Sequence, residues 1–352
     1  MRNFPETDAV RRARNLSALL DLGFERVEEP PSIETATVGN GLRRVTQSLP
    51  AMGTVVTMSV LDPSEDRAVE ALGTAFAEMD RGIGLLNRFD ECSALGVLNA
   101  ESRLADAPDE LLEVMHRARG VHLLSSGAFD ITVTPVIDAF RAHRDAGLPG
   151  LPDSTELRAA NERVNAAGVI IAGRKVRLHD GVEVTLDGIA KGYVVDSMAT
   201  ALTSAGVSGF LVNGGGDIRV GGTRDGARPW RVGVRDPDKP GEELDVLSLD
   251  EGAVATSGSY EIYFDSERTR HHIVSSDGTS PGECRSVTVR APSTMLADAL
   301  ATAAFVAGPQ AGERLVESVP GCSCLVVDAH GMQRPSSSWL PGSAGGGHNG
   351  AS

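Results

Sequence analysis

Runs of apolar residues along the chain predict a mixture of strands and helices. GTVVTMSVL is typical of a strand, and helices are predicted over residues 67–86, 111–124 and 192–205. GFLVNGGGDIRVGG indicates a strand, a glycine turn and a second strand, while RPWRVGVRD and CRSVTVRAP each indicate one more strand. Because strands and helices are interleaved without regular βαβ spacing, we expect an α+β fold with mixed or antiparallel sheets and packed helices, not a Rossmann fold.

Another predicted helix, over residues 295–305, carries an aspartate in an otherwise apolar run, MLADALATAAF. Ser293 can cap its start, and Gly308 with the proline after it can end it. Asp298 shares one stripe of the helix with Thr302, one turn later, and this stripe is nearly as apolar as the opposite one. The helix is therefore predicted to be buried on most sides. A buried carboxylate needs an ion partner, hydrogen bonds or a bound cation.

The chain divides into three unequal parts. Residues 1–45 are a polar N-terminal extension with one possible amphipathic helix over residues 9–22. Residues 46–335 form a mixed body that is predicted to be the functional domain. Residues 336–352 are rich in glycine and serine and are predicted to be disordered.

Composition and charge narrow the range of functions. The 352 residues carry a formal net charge of −15, so neither nucleic acid nor an anionic membrane surface is an expected partner. No run is long enough for a transmembrane helix, and the N-terminal residues resemble neither a secretory signal nor a lipid-anchor site. We therefore expect no membrane insertion and a cytoplasmic location. Cys322 and Cys324 could bind a metal or be redox-active, but the apolar run after them favours buried thiols in a strand.

Two glycine-rich segments bear on phosphate binding. VNGGGDIRVGG lacks the order of a dinucleotide fingerprint, and a glycine-rich hairpin is the favoured interpretation. In TLDGIAKGYVVDSMATAL, Gly188 and Gly192 flank Lys191 at the start of a predicted helix. Backbone amides at a helix start, together with a lysine, suit a phosphate or pyrophosphate group.

Two further segments carry titratable groups with more than one interpretation. GAFDITVTP places Asp130 in a strand-like stretch, and the alternative is a turn aspartate. RHHIVSSDG contains His271 and His272. His272 opens an apolar pair and is a candidate base, whereas a structural histidine is the alternative.

Eight segments, taken in their order along the chain, resemble one family: AMGT, GAFDITVTP, LDGIAKGYVVD, LVNGGGDIRV, WRVGVRDP, VATSGSYEIYF, HHIV and SVTVRAPSTMLADALATAAF. They are similar to segments of the ApbE-type flavin transferases, which are FAD:protein FMN transferases. The resemblance runs from about Met52 to Val316. Each motif alone is weakly specific, and their shared order makes the resemblance strong.

The resemblance implies a magnesium-dependent enzyme. Such an enzyme splits the pyrophosphate of FAD, transfers the FMN phosphoryl group to a threonine hydroxyl of an acceptor protein, and releases AMP. By the same resemblance, Asp298 and Thr302 would be side-chain ligands of Mg²⁺, together with the backbone carbonyl of Gly188. A hard cation bound through oxygen would then explain the buried Asp298.

The resemblance also implies flavin-binding and catalytic residues. Phe89 lies where the family has an aromatic residue near the adenine, and His272 matches the histidine proposed to deprotonate the incoming threonine. At a position where the family usually has an aspartate, this chain has Thr185, which we expect to contact the flavin. Asp187 is the alternative for this contact. The remaining flavin contacts would be Met52, Ala128, Phe129, Asp130, Lys191 and Ile273.

Departures from the family pattern leave three functions open. After the histidine, this chain has Ser275 and Ser276 where the family usually has Asp-Pro. The first function is FMN transfer to a protein. The second is hydrolysis of FAD to FMN and AMP at the same site. The third is a protein that binds flavin without this chemistry or uses the flavin in another reaction.

Overall fold

A long antiparallel sheet organises the structure. The computed structural model describes residues 32–148, 152–258 and 282–340. Its strands are β1 (Ser32–Thr37), β2 (Arg43–Ala51), β3 (Thr54–Asp62), β4 (Arg103–Leu104), β5 (Val169–Ala172), β6 (Lys175–Leu178), β7 (Gly209–Gly214), β8 (Ile218–Gly222), β9 (Trp230–Arg235), β10 (Glu243–Leu249), β11 (Glu251–Gly258), β12 (Cys284–Ala291), β13 (Ser323–Asp328) and β14 (Gln333–Pro335). Its α-helices are α1 (Glu65–Leu86), α2 (Ala94–Glu101), α3 (Asp109–Leu124), α4 (Thr134–Asp145), α5 (Ser154–Asn161), α6 (Ala190–Ser204), α7 (Thr294–Ala307) and α8 (Pro309–Glu317).

Nine strands form the large sheet, in the order β1-β2-β3-β7-β8-β11-β12-β13-β14. Every neighbouring pair of strands in this sheet is antiparallel. The strands β9 and β10 form a separate hairpin, and β4, β6 and β5 form a small third sheet. Antiparallel pairing among the described strands confirms the predicted α+β fold, because a Rossmann fold needs a parallel sheet.

One face of the large sheet packs against helices. After β3 the chain enters α1, whose start is capped by Ser64 and followed by Glu65 and Asp66, which suit the positive end of a helix. Apolar side chains of α1, α6 and α7 meet alternate residues of β3, such as Val56 and Met58, in the main core. Helix α7 is buried along most of its length, which confirms the prediction from its apolar stripes.

The hairpin of β9 and β10 covers the other face of the large sheet. Trp230, Val232 and Val234 alternate along β9 and pack with Val220 and Leu325 of the large sheet in a second core. Because successive side chains of a strand point to opposite faces, the central strands contribute to both cores. The large sheet is therefore the middle of three layers.

The fold begins earlier in the chain than the sequence predicts. Strands β1 and β2 pair along the edge of the large sheet, so residues 32–45 belong to the sheet and not to a polar extension. Strand β1 has no alternation of apolar and polar residues that would predict a strand, because all of its side chains are exposed and neither face has to be apolar. The predicted helix over residues 9–22 lies outside the described residues.

The fold also extends into the predicted tail. The Cys324 N–H donates a hydrogen bond to Ser336 Oγ at 2.9 Å. Trp339 is only 6% exposed and packs in the second core. Residues 336–340 therefore pack against the domain, in contrast to the predicted disorder, because one tryptophan supplies enough apolar surface to dock a glycine- and serine-rich segment.

The other predicted elements agree with the structure. The predicted helices correspond to α1, α3, α6 and α7, and the predicted strands to β3, β7, β8, β9 and β12. Cys324 lies in β13 and Cys322 lies directly before it, and both are buried thiols. Burial raises the pKa of Cys324 to about 12. Within the described ranges, none of the helices combines the length and the apolar character that crossing a bilayer requires.

Candidate functional site

A cleft opens beside α7. Its walls are the segment before α4, the segment before α6, the end of β11 and one side of α7. The described residues that line it are Ala128, Phe129, Asp130, Ile131, Val133, Ile137, Thr185, Asp187, Gly188, Lys191, Thr256, Ser257, Asp298, Thr302 and Val306. They include every predicted metal ligand and most of the predicted flavin contacts in the described part of the chain. Residues that are far apart in sequence therefore meet at one place.

Asp298 is buried in the wall of this cleft, with 4% of its surface exposed. The Gly192 N–H donates a hydrogen bond to Asp298 Oδ2 at 3.0 Å. This N–H belongs to the first turn of α6, where backbone donors have no partner within the helix and the helix dipole is positive. A neighbouring helix start therefore stabilises the carboxylate of Asp298 as an anion.

Thr302 follows Asp298 by one turn of α7 and faces the same cleft. Its Oγ1 is 3.2 Å from Oγ of Ser257, at the end of β11. Gly188 lies directly against this hydroxyl, since a β-carbon on Gly188 would be 3.1 Å from Thr302 Oγ1. The missing side chain of Gly188 thus lets the backbone before α6 approach α7 closely.

The oxygen atoms in this corner of the cleft fit a hard divalent cation. Asp298, Thr302 and Gly188 can offer a carboxylate, a hydroxyl and a backbone carbonyl. Mg²⁺ prefers oxygen ligands and often binds few protein groups, with water and substrate phosphates as the others. In the described ranges, no three His, Cys, Asp or Glu side chains form a group that could hold a metal ion. A cation in this cleft would therefore depend on water or a bound substrate for further ligands.

Lys191 lines the same cleft at the start of α6 and forms an ion pair. Its Nζ is 3.2 Å from Oδ2 of Asp217, in the turn between β7 and β8. Asp217 is buried, and burial raises the pKa of its carboxyl while the Lys191 ammonium opposes this rise. The glycine-rich segment is thus the predicted hairpin, and its aspartate holds the lysine in place.

The segment over residues 128–133 forms another wall as a turn, which corrects the strand-like conformation expected for Asp130. The Thr132 N–H and O–H both donate to Asp130 Oδ1, at 2.8 and 2.6 Å. This local bonding of an aspartate to the backbone two residues later is an Asx turn, and it competes with strand formation. His122 of α3 supports the turn, with Nδ1 2.9 Å from the Phe129 carbonyl oxygen.

Thr185 connects the two walls of the cleft. Its N–H donates a hydrogen bond to the Ile131 carbonyl at 2.8 Å. The residue before it, Val184, exchanges two hydrogen bonds of 2.8 Å with the side-chain amide of Asn99 on α2. The chain that leads into α6 is therefore anchored on both sides before it reaches the cleft.

Phe89 lies between α1 and α2 and contacts two arginines. The Cζ atoms of Arg88 and Arg141 are 4.3 and 5.0 Å from the centroid of its ring. Arg88 also reaches the cleft, because its Nε is 3.5 Å from Oδ2 of Asp187. Phe89 is not among the described residues that line the cleft, so its connection to the cleft runs through the neighbouring Arg88.

Met52 occupies the tip of the β2–β3 hairpin in a conformation that residues with side chains rarely adopt. Its φ is 52°, and Gly53 follows at 72°. A β-carbon on Gly214 would be 3.4 Å from Met52 Cε, so the methionine side chain extends to the turn that carries Asp217. Met52 is thus near the lysine pair, although it is not among the described residues that line the cleft.

Several residues that build the cleft were not among the predicted site residues. Asn99, His122 and Ser257 hold its walls by hydrogen bonds. Their only sequence signal is a polar side chain in or beside an apolar run, which many surface residues share. The predicted His272 and Ile273 lie outside the described residues.

Solved structures share this fold. The ApbE protein of Thermotoga maritima has a TM-score of 0.75 at 28% identity and covers 87% of this chain and 97% of that chain. A mutant of the flavin transferase ApbE of Vibrio cholerae has a TM-score of 0.70 at 26% identity and covers 84% of this chain and 98% of that chain. The fold is therefore that of the ApbE flavin transferases.

Sequence comparison identifies the family. The ApbE family model matches residues 52–326. The FAD:protein FMN transferase of Klebsiella pneumoniae (strain 342) is 27% identical over 318 residues, which is 87% of this chain and 89% of that protein. The enzyme of the same name from Vibrio cholerae is 32% identical over 240 residues, 66% of this chain and 72% of that protein. The chain belongs to the ApbE family, and the predicted resemblance and transferase class are confirmed.

Proposed function

We propose that this chain transfers FMN from FAD to a threonine hydroxyl of an acceptor protein in the presence of Mg²⁺ and releases AMP. Its relatives named FAD:protein FMN transferase support flavin transfer to a protein. The observation that carries the finer proposal is the cleft, which brings Gly188, Asp298 and Thr302 together with Lys191. An oxygen-lined corner beside a lysine suits a substrate with a diphosphate and a divalent cation.

Different residues of the cleft would bind the metal ion and the diphosphate of FAD. Asp298, Thr302 and the carbonyl of Gly188 would bind Mg²⁺, which when bound neutralises the diphosphate and draws electron density from its phosphorus atoms. Lys191 would add a fixed positive charge at the helix start, oriented by its ion pair with Asp217. This local positive charge is needed because the whole chain carries a net charge of −15.

The transfer replaces one phosphorus–oxygen bond with another. The threonine oxygen forms a bond to the FMN phosphorus, and the bond from that phosphorus to the bridging oxygen breaks. AMP leaves with the bridging oxygen and its electron pair. The proton of the threonine hydroxyl passes to a base, the role proposed for His272, which then returns it to water.

The full chain tests this proposal directly. It would be incubated with FAD and Mg²⁺, with a panel of candidate acceptor proteins, and with EDTA as a control. We expect AMP by chromatography, a fluorescent flavin band on the acceptor in a denaturing gel, and a flavin-modified threonine by mass spectrometry. AMP together with free FMN, and no labelled protein, would instead indicate an FAD hydrolase. Flavin binding without AMP, with every acceptor of the panel, would support the third function, a protein that binds flavin without this chemistry.

The His272→Ala variant tests the base in the same assay. We expect labelling of the acceptor to fall by about 10²–10⁴-fold, which is the usual contribution of a positioned base. FAD affinity and melting temperature should stay close to those of the unchanged chain. Joint loss of binding and stability would support a structural histidine, and full labelling would exclude a catalytic role.

A further inference from the structure

Each of the helices α6 and α7 has an aspartate that accepts hydrogen bonds from the first turn of the other helix. Asp298 of α7 accepts a hydrogen bond from the Gly192 N–H in the first turn of α6, at 3.0 Å. In the opposite direction, Asp196 of α6 accepts from the first turn of α7: the Thr294 N–H donates to Oδ1 and the Met295 N–H donates to Oδ2, both at 2.9 Å. Each helix therefore supplies an anion to the positive end of the other helix.

The two helix starts are also in direct backbone contact. A β-carbon on Gly192 would be 2.5 Å from the Thr294 carbonyl oxygen and 2.7 Å from Met295 Cα. Thr294 and Met295 are buried, so their N–H groups would lose hydrogen bonds at a substantial cost if Asp196 were absent. The position of α7 relative to α6 is therefore set by these contacts and by the pair of carboxylates together.

We propose that Asp196 is a positioning residue of the proposed metal site. The ligands proposed for Mg²⁺ are divided between two segments, with Gly188 just before α6 and with Asp298 and Thr302 on α7. Asp196 joins these segments through two charge-assisted hydrogen bonds to the start of α7. This inference rests on the proposed function, because it concerns how the proposed metal ligands are brought to one place.

Asp196 acts through α7 and is not itself proposed as a metal ligand. Both of its oxygens already accept backbone hydrogen bonds, and it is not among the described residues that line the cleft. Asparagine at this position can accept only one of the two N–H groups, and its amide nitrogen would face the other donor. The start of α7 would then move, and with it Asp298, one turn further along.

Binding of Mn²⁺ to the full-length chain tests this inference without relying on activity. The variants are Asp196→Asn and Asp196→Ser, with Ser197→Ala as the matched control. Ser197 is the next residue of α6, and its hydroxyl donates to the Tyr193 carbonyl of the same helix at 3.0 Å. Free Mn²⁺ would be measured by electron paramagnetic resonance, well below each melting temperature, and FAD affinity would be measured separately in EDTA.

We expect both Asp196 variants to bind Mn²⁺ about 10–100-fold more weakly, the usual effect of losing a residue that orients a metal ligand. Ser197→Ala should bind Mn²⁺ as tightly as the unchanged chain does. The FAD affinity of the Asp196 variants in EDTA should change by less than about twofold, far less than their Mn²⁺ affinity. A folded Asp196 variant with unchanged Mn²⁺ affinity would overturn the inference, even if its melting temperature fell. If Asp196→Asn does not fold, Asp196→Ser, which places no amide nitrogen against the second N–H donor, decides the question. Failure of the unchanged chain to bind Mn²⁺ would contradict the proposed metal site itself.

Discussion

Asp298 combines a negative charge with a hydrogen-bond acceptor, and one substitution separates these properties. In Asp298→Asn the amide oxygen can still accept from the Gly192 N–H, so the fold should persist. The charge that a cation requires is lost. We expect Mg²⁺-dependent release of AMP from FAD to fall by more than about a hundredfold. Loss of a residue that only orients a metal ligand usually costs about 10–100-fold, and loss of a ligand itself should cost more.

Chromatography of AMP and thermal unfolding would be measured on the same samples. Asp180→Asn is the matched control, since it removes one charge from an exposed position outside the cleft. Full AMP release in a folded Asp298→Asn variant would give this aspartate a purely structural role.

Lys191 is the second residue with a specific prediction, because the two flavins differ in the group it would contact. FAD has a diphosphate, whereas FMN has a single phosphate. We expect Lys191→Ala to weaken FAD binding more than FMN binding, by roughly 1.5–3 kcal/mol, or about tenfold or more in affinity. Fluorescence titration of both flavins measures the difference, and an equal loss for the two flavins would place Lys191 away from the diphosphate.

The ion pair of Lys191 also predicts a pH dependence of stability. Burial raises the pKa of Asp217 above its ordinary value of 3.8, and Lys191 opposes this rise. Removing the lysine raises the pKa further. When the pKa of a group is raised in the folded state, its stabilising contribution is complete below the unfolded pKa and is lost as the pH rises through the folded pKa.

We therefore expect the free energy of unfolding of Lys191→Ala to fall relative to that of the unchanged chain as the pH rises above about 4. The double variant Lys191→Ala with Asp217→Asn removes the buried acid and should abolish this extra dependence. Denaturant titrations at several pH values measure both effects. Parallel pH profiles for the single and the double variant would argue against an unpaired buried carboxylate.

At the scale of elements, the site depends on how closely α6 and α7 approach each other. Gly192→Ala would place a β-carbon 2.5 Å from the Thr294 carbonyl oxygen, so one of the helices must move. We expect a loss of about 1–3 kcal/mol in the free energy of unfolding, as is usual for an overpacked contact. We also expect weaker Mn²⁺ binding, because the proposed ligand Asp298 moves with α7.

Gly120→Ala is the control for this substitution. Gly120 lies inside α3, and nothing lies within 4 Å of the β-carbon that alanine would add. Only the higher helix propensity of alanine should therefore change the stability, and the free energy of unfolding should rise by about 0.5–1 kcal/mol. Equal effects of the two substitutions would show that the contact between α6 and α7 does not limit stability.

At the scale of the whole molecule, residues beyond β14 close the second core. Trp339 packs between the β9–β10 hairpin and the large sheet, and its Nε1–H donates to Asp245 Oδ2 at 2.9 Å. We expect Trp339→Ala to lower the free energy of unfolding by about 3–5 kcal/mol, the usual cost of removing a buried tryptophan. The neighbouring Leu340 is 71% exposed, so Leu340→Ala should have little effect.

Denaturant unfolding of both variants checks this prediction. A small effect of Trp339→Ala, similar to that of Leu340→Ala, would mean that the segment after β14 adds little to the fold. FAD binding should be retained in either variant at low temperature, because Trp339 lies on the face of the large sheet opposite the helices that form the cleft.

The sequence by itself determined most of the elements and the family. The apolar stripes of α7, its cap at Ser293 and its end at Gly308 are all local features, and each acts within a few residues. For the same reason, the sequence showed that Asp298 must have a partner, since an aspartate in an apolar helix is costly to bury. The order of short motifs was enough to identify the ApbE family, because eight weakly specific motifs in one shared order are together highly specific.

Only the tertiary structure decided which groups meet. The ion pair of Lys191 with Asp217 and the hydrogen bonds from the start of α7 to Asp196 join residues that lie far apart in sequence, which periodicity does not record. The exposed strand β1 and the buried Trp339 likewise take their places from the sheet and the second core. These contacts depend on segments distant in sequence, and the free energy that selects them comes from packing the whole chain and not from any one segment.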